Sequence, residues 1–269
     1  MRLASCVQAG AAFAAVIEGE RAVALAGVDE LGPATLPAAG GSVRGEAFAL
    51  GDVQLRPVIP SPRKVICVGL NFRPHVSETA RELPSYPVLF TKFALSLCGP
   101  YAAIALPRES SQVDWEGEVA VVIGKPGRRI PRADALEHVA GYTLANDVSM
   151  RDYQRKSPQW LQGKCWEATT PLGPWLVTAD EVPDPSALVL RTTLNGETVQ
   201  EASLSTLIFD IPTLISTISE AVTLEPGDVI LTGTPGGVGM ARTPPRYLAP
   251  GDVVGVEAEG LGRLENVFV

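Results

Sequence analysis

Histidine is scarce in this chain: only His75 and His138 occur in 269 residues. A site built mainly on imidazole ligands is thereby excluded, while one built on carboxylates is not. Basic runs are missing too, none being longer than a pair such as Arg128–Arg129. Lys+Arg number 22 against Asp+Glu 30, a net charge of -8, so the footprint of a nucleic-acid binder is absent. No uninterrupted apolar stretch reaches the length of about 18 residues that a membrane-spanning helix needs, so no membrane partner is expected. The four cysteines, Cys6, Cys67, Cys98 and Cys165, form no C-x-x-C, which argues against a zinc knuckle or a disulfide framework. Three of them stand inside apolar runs and read as small buried hydrophobes in a reducing cytoplasm. The glycine-rich stretch Thr232 to Gly239 lacks the lysine of a phosphate loop, and no G-x-S-x-G elbow occurs.

What is present describes a globular chain. Hydrophobic residues make up 46% and charged residues 19%, which rules out disorder as the main state. Gly 26 and Pro 23 predict many short elements and tight turns. Residues 1–58 are rich in Ala, Gly and Val and read as a small N-terminal domain of hairpins. Glu18-Gly-Glu20 is a turn between apolar runs, so the start reads as strand, turn, strand rather than as a leader. Three prolines between Pro57 and Pro62 mark a boundary. Beyond it, Lys64 to Leu70 (KVICVGL) is a strand-type run. Glu225-Pro-Gly-Asp and Ala249-Pro-Gly-Asp are turns entering strands. Helical periodicity is clearest at Asp134 to Val139 and Thr206 to Ala221, the latter requiring its helix to start near Pro212. The fold class is α+β, mainly β.

Three constellations carry chemistry. In Val113-Asp-Trp-Glu-Gly-Glu-Val, strand alternation puts Glu116 and Glu118 on one face, roughly 6.6 Å apart along the backbone. Asp114 joins them if the strand already starts there. Asp147 follows at the end of the run Gly141 to Asp147. These acids are either a solvated strand edge or a hard-cation site. In Asn71-Phe-Arg-Pro-His-Val-Ser-Glu78, His75 and Glu78 are three apart. They are either a surface pair or an imidazole oriented as a general base. Lys164, between Trp160 and Trp166, is either a snorkelling lysine or a desolvated anion stabiliser. Arg151 and Gln154 face a ligand or water from one helical turn, and His138 reads as a structural residue of an amphipathic helix.

Taken together, these stretches resemble the fumarylacetoacetate hydrolase family. GLNFRPHVSE, VDWEGEVAVVIGK, GYTLANDVSMRDYQ, GKCWEATTPLGPWLV, LEPGDVILTGTPGGVG and others follow the family's order from about residue 61 to 269. The resemblance implies a mixed β-roll catalytic domain over 61–269, usually in a homodimer, holding Mg²⁺ or Mn²⁺, with Ca²⁺ able to stand in within a crystal. It puts the metal ligands on Glu116, Glu118 and Asp147, and the His–Glu dyad on His75 and Glu78. It makes Lys164 the substrate-anchoring lysine, Gln154 a substrate contact and Thr234 a carboxylate-binding one; Arg151, one turn from Gln154, is expected to bind substrate with them. Two departures stand out: Phe93 rather than Pro follows Lys92, and Gly117 stands where a branched apolar residue is common.

The expected activity is hydrolysis of a C–C bond in a 2,4-dioxo acid of acylpyruvate or fumarylpyruvate type. His75, oriented by Glu78, activates water, and the enolate leaving group is stabilised by the metal and Lys164. The alternative on the same site is a 2-oxo acid decarboxylase, or an isomerase of 2-hydroxyhepta-2,4-diene-1,7-dioate type. In each case the partner is a small anionic 2-oxo acid.

Overall fold

The structure is a computed structural model, and it describes residues 1–36, 41–73 and 83–269. The chain opens as a meander of β1 (Arg2–Gln8), β2 (Ala11–Glu18) and β3 (Arg21–Leu25). Its first turn uses Gly10 at φ 85°, a conformation strained for other residues. Then come β4 (Arg44–Ala49), β5 (Gln54–Leu55), β6 (Val65–Gly69), β7 (Val88–Lys92), β8 (Leu97–Cys98) and β9 (Val113–Asp114). β10 (Gly117–Ile123), β11 (Val139–Asn146), β12 (Ser149–Met150) and β13 (Thr170–Thr178) follow. β14 (Val189–Leu194), β15 (Glu197–Ser203), β16 (Val229–Leu231), β17 (Val253–Ala258) and β18 (Gly262–Val267) complete the series.

Among the described residues the main sheet runs β4-β3-β2-β1-β13-β11-β10-β16-β6-β7, with β5 on β1 and β8 on β13. A second sheet runs β15-β14-β17-β18, and β9 and β12 form a separate ribbon. The β1–β13 pairing carries the strands of residues 1–58 into the same sheet as the later ones. The fold is α+β and mostly sheet.

β10 is the centre of the packing, and all seven of its residues are buried. Its alternation feeds two cores. Val119, Val121 and Ile123 enter the one shared with Leu190, Val254 and Val256. Ala120 and Val122 enter the one shared with Val65, Cys67 and Leu176. Each large apolar side chain so buried contributes about 1.5–3 kcal/mol. A one-residue slip would turn Glu118 into the wrong core, so register is strongly fixed.

The two Pro-Gly-Asp turns are built alike. Asp228 Oδ2 accepts from the Glu225 amide at 2.7 Å, and Asp252 Oδ2 accepts from the Ala249 amide at 2.7 Å. β16 and β17 start directly after them. Of the two predicted helices, the second begins later than its periodicity suggests, at Ile211, and ends at Ala221. Asp210 caps it by accepting from the Thr213 amide, and Pro212 falls in the first turn, where its missing N–H costs nothing. The first is a 3₁₀ helix, Arg132–His138, and not an α-helix. His138 is buried there with Nδ1 2.9 Å from the Lys125 carbonyl oxygen. Among the described residues no helix is long and apolar enough to cross a membrane.

Candidate metal centre and adjoining cavity

Strand parity assembles the acidic cluster. β10 and β11 are antiparallel, with Gly117 opposite Asn146 and Glu118 opposite Ala145. The ladder continues past both strands, the Asp147 amide donating to the Glu116 carbonyl at 2.8 Å. Glu116 and Glu118 share the parity of Ala120 and Val122, and Asp147 shares that of Ala145. All three acids therefore cap the same core layer. One carboxylate oxygen from each lies within 4.8 Å of the others, and all three residues are buried. Glu116 sits one residue before β10 rather than within it.

Asp114 does not join this cluster. It lies in the β9–β12 ribbon and binds the loop after β16, accepting from the amides of Gly239 at 2.7 Å and Met240 at 3.0 Å. It also accepts from Arg151 Nε at 2.8 Å. Asp114 thus holds the loop and Arg151 in place.

The cluster is strongly perturbed. Burial, then Asp147 and Glu116, push the Glu118 carboxyl well above the ordinary carboxylate range. Its Oε2 accepts from the Gly233 amide at 2.6 Å. Three cations offset the remaining charge. Lys164 Nζ lies 2.6 Å from Glu116 Oε2 and 2.8 Å from Asp147 Oδ2. Lys92 Nζ reaches the other Asp147 oxygen, and Arg151 Nη1 reaches Glu116 Oε1. Burial opposes the Lys164 charge, but Asp147 and Glu116 outweigh it and raise the ammonium above the usual lysine range. Three hard oxygen donors converging in a buried pocket fit a divalent cation of the Mg²⁺ or Mn²⁺ kind.

Beside the cluster is a cavity of about 270 Å³, lined by Glu116, Arg151, Gln154, Lys164 and Thr234 among others. Five of the positions singled out in the sequence therefore meet at one opening, with Glu118 and Asp147 behind them. Arg151 and Gln154 are one helical turn apart, Nη1 donating to Gln154 Oε1 at 3.0 Å. Arg151 Nη2 is buried with no hydrogen-bond partner among the described residues. Thr234 donates to the Gly117 carbonyl at 2.9 Å and accepts from Gln200 Nε2 at 2.8 Å. His75 and Glu78 lie outside the described residues.

Several residues here carry no local sequence signal. Lys92 comes from β7, which lies three strands from β10 in the sheet order. Gln200 comes from the second sheet and clamps the Gly117 amide at 3.0 Å as well as Thr234. Arg155 and Trp160 also line the cavity.

Similarity to known proteins agrees with this geometry. A family model described as fumarylacetoacetate (FAA) hydrolase C-terminal matches residues 64–269. A mitochondrial oxaloacetate tautomerase of Homo sapiens is 46% identical over 244 residues, covering 89% of this chain and 78% of its own. A crystal structure of 5-carboxymethyl-2-hydroxymuconate delta-isomerase from Mycobacterium smegmatis superposes with a TM-score of 0.85 at 38% identity, covering 100% of this chain and 99% of that one. Fumarylacetoacetate hydrolase from Exiguobacterium antarcticum gives a TM-score of 0.88 at 37% identity, with 100% and 99% coverage. The chain belongs to the fumarylacetoacetate hydrolase family.

Proposed function

We propose that this chain is a metal-dependent isomerase of a small 2-oxo dicarboxylate, interconverting its keto and enol forms, with oxaloacetate as the first candidate. The charge on the cavity lining carries this reading. Among the described residues Arg151, Arg155 and Lys164 line it together with one acid, Glu116, in a chain whose net charge is -8. A divalent cation on Glu116, Glu118 and Asp147 would offset those acids and leave the lining positive, which suits a dianion. The tautomerase and delta-isomerase relatives support isomerisation over the hydrolysis expected from sequence.

Glu116, Glu118 and Asp147 would hold the cation, which would supply Lewis-acid stabilisation of oxyanion charge. The chain's own residues do the rest. Arg151 and Gln154 orient the substrate. Lys164 faces the 2-oxo oxygen and stabilises the charge that develops there. His75, oriented by Glu78, takes the proton from carbon 3. The C–H electron pair forms the C2–C3 double bond, the oxygen at carbon 2 takes a proton from water to give the enol, and His75 gives the proton it took back to water. The formula is unchanged, and no water is consumed.

The test follows the ultraviolet absorbance of the oxaloacetate enol with and without Mg²⁺, together with product analysis. The expected result is metal-dependent acceleration of interconversion, with all four carbons retained. Lys164→Ala should slow it by about 10²–10³-fold. A second reading, hydrolysis of an acylpyruvate, is supported by the hydrolase relative and gives pyruvate plus a carboxylic acid. Absence of any acceleration on oxaloacetate sinks the proposal.

A homodimer belongs to the same proposal. Leu89, Phe93 and Leu95 are exposed on and after the edge strand β7, at 39%, 57% and 73%, and support self-association there. So does a cytoplasmic location, which the four free thiols support.

A further inference from the structure

The cavity has two unlike parts. Glu116, Arg151 and Lys164 are charged, while Val68, Phe90 and Trp160 are apolar. Trp160 stands immediately before the turn Leu161–Lys164, four residues ahead of Lys164. Residues four apart leave the same face of a helical turn. One short element therefore presents both the ammonium and the indole.

The indole is seated on bare backbone. A Cβ at Gly69 would overlap Trp160 Cζ3 and lie 2.8 Å from Cη2. Phe90 braces the ring from the side, edge-on, at a centroid distance of 5.4 Å and an interplanar angle of 67°. Lys164 Nζ lies 5.1 Å from the Phe90 centroid, so charged head and aromatic wall are neighbours. The wall comes from separate elements: Gly69 ends β6, Phe90 belongs to β7, and Trp160 precedes its own turn. An aromatic ring held on two sides is a stiffer boundary than a flexible Leu or Met. The wall bounds a cavity that is already small for a ligand site.

We propose that Trp160, seated on Gly69 and braced by Phe90, is the specificity-determining residue that limits substrate length. It admits short 2-oxo diacids and holds out those of about seven carbons. The inference rests on the proposed 2-oxo diacid activity and adds a length limit to it.

The experiment uses the full chain loaded with Mg²⁺ and compares wild type, Trp160→Phe, Trp160→Ala and Gly69→Ala. Turnover is measured on oxaloacetate and on 2-hydroxyhepta-2,4-diene-1,7-dioate. Calorimetric binding of 2-oxo diacids of five and seven carbons reads the same preference without turnover. Mn²⁺ affinity is measured for every variant. Trp160→Ala should lower the short-over-long preference by at least about tenfold, mainly through a lower KM or Kd for the long diacid. Trp160→Phe should fall between wild type and Ala. Gly69→Ala, which drives the ring into the cavity, should weaken binding of both lengths.

A Trp160→Ala variant that binds Mn²⁺ as wild type does but keeps the wild-type preference overturns the filter. So does loss of Mn²⁺ binding in both Trp160 variants, which would make the ring a packing residue. Failure of wild type to turn over either substrate, with the binding preference still shifting in Trp160→Ala, sinks the isomerase reading and leaves the filter standing.

Discussion

Lys92 Nζ lies 2.5 Å from Asp147 Oδ1, and both side chains are fully buried. Lys164 holds the second oxygen of the same carboxylate at 2.8 Å. Asp147 is thus fixed from two sides by ammonium groups on different elements. Such pairs rarely add net stability over an apolar core, but breaking one strands a buried charge.

Replacing Lys92 by Met should therefore cost about 3 kcal/mol without metal. That is the low end for a broken buried pair, because Lys164 remains. A divalent cation should recover part of the loss, so Mn²⁺ should raise Tm more in Lys92→Met than in wild type. Thermal melts with Mn²⁺ and with EDTA check this. Equal Tm shifts in the two proteins would show that Lys92 does not offset the cluster.

Gly117, between the two glutamates, is explained by the second sheet. A Cβ there would overlap Thr192 Oγ1 and lie 3.3 Å from Val256 Cγ1. Thr192 is fully buried and its hydroxyl has no hydrogen-bond partner among the described residues. Gly117→Ala should cost about 1–3 kcal/mol by overpacking and should disturb the adjoining carboxylates. Thr192→Ala removes the obstructing oxygen and should restore more than half of that stability in the double variant. Chemical denaturation of the full cycle measures the coupling. Simple additivity would mean that the two positions do not meet as described.

Part of the triad was legible in the sequence: strand alternation put Glu116 and Glu118 on one face but left a solvated edge open beside a cation site. The ligand role of all three acids came from the family resemblance, and it is the antiparallel pairing of β10 and β11, which alternation does not encode, that brings Asp147 to the two glutamates. Lys92, Gln200 and Trp160 were not legible as site residues. Their positions depend on strand order, on packing between sheets and on a glycine at the end of β6, none of which periodicity encodes. The short 3₁₀ helix at Arg132–His138 shows the same limit. Its apolar spacing matches a helix, but only the backbone distinguishes a 3₁₀ helix from an α-helix. Asp114 was ambiguous for a related reason: two residues outside any strand, Trp115 and Glu116, separate it from β10 and leave it in another ribbon.

Acid stability should depend on Asp252. Its carboxylate accepts from Arg246 Nη2 at 2.7 Å, Asn195 Nδ2 at 2.8 Å and the Ala249 amide at 2.7 Å. Burial alone would raise its pKa, but these donors outweigh burial and lower it below the ordinary 3.8. A depressed carboxylate stabilises the fold above its unfolded value and loses that contribution as pH falls through the folded one. Asp252→Asn should therefore lower Tm at pH 7. The gap to wild type should shrink only below about pH 3.8, the ordinary aspartate value. A gap that closes well above that pH would assign the effect to another group.

Glu118→Gln separates cation binding from fold stability. The glutamine keeps an oxygen to accept from the Gly233 amide, which Glu118 Oε2 holds at 2.6 Å. It removes the charge that burial, Asp147 and Glu116 disfavour. In EDTA the variant should melt at or above the wild-type temperature. With Mn²⁺ the order should reverse. A cation at 100 times its Kd stabilises the protein that binds it by about 2.7 kcal/mol, and only wild type should gain that. Asp147→Asn behaves differently, because it leaves Lys92 and Lys164 facing each other across a neutral group. It should melt lower than wild type with or without metal. A Glu118→Gln protein that gains as much from Mn²⁺ as wild type does would remove Glu118 from the ligand set.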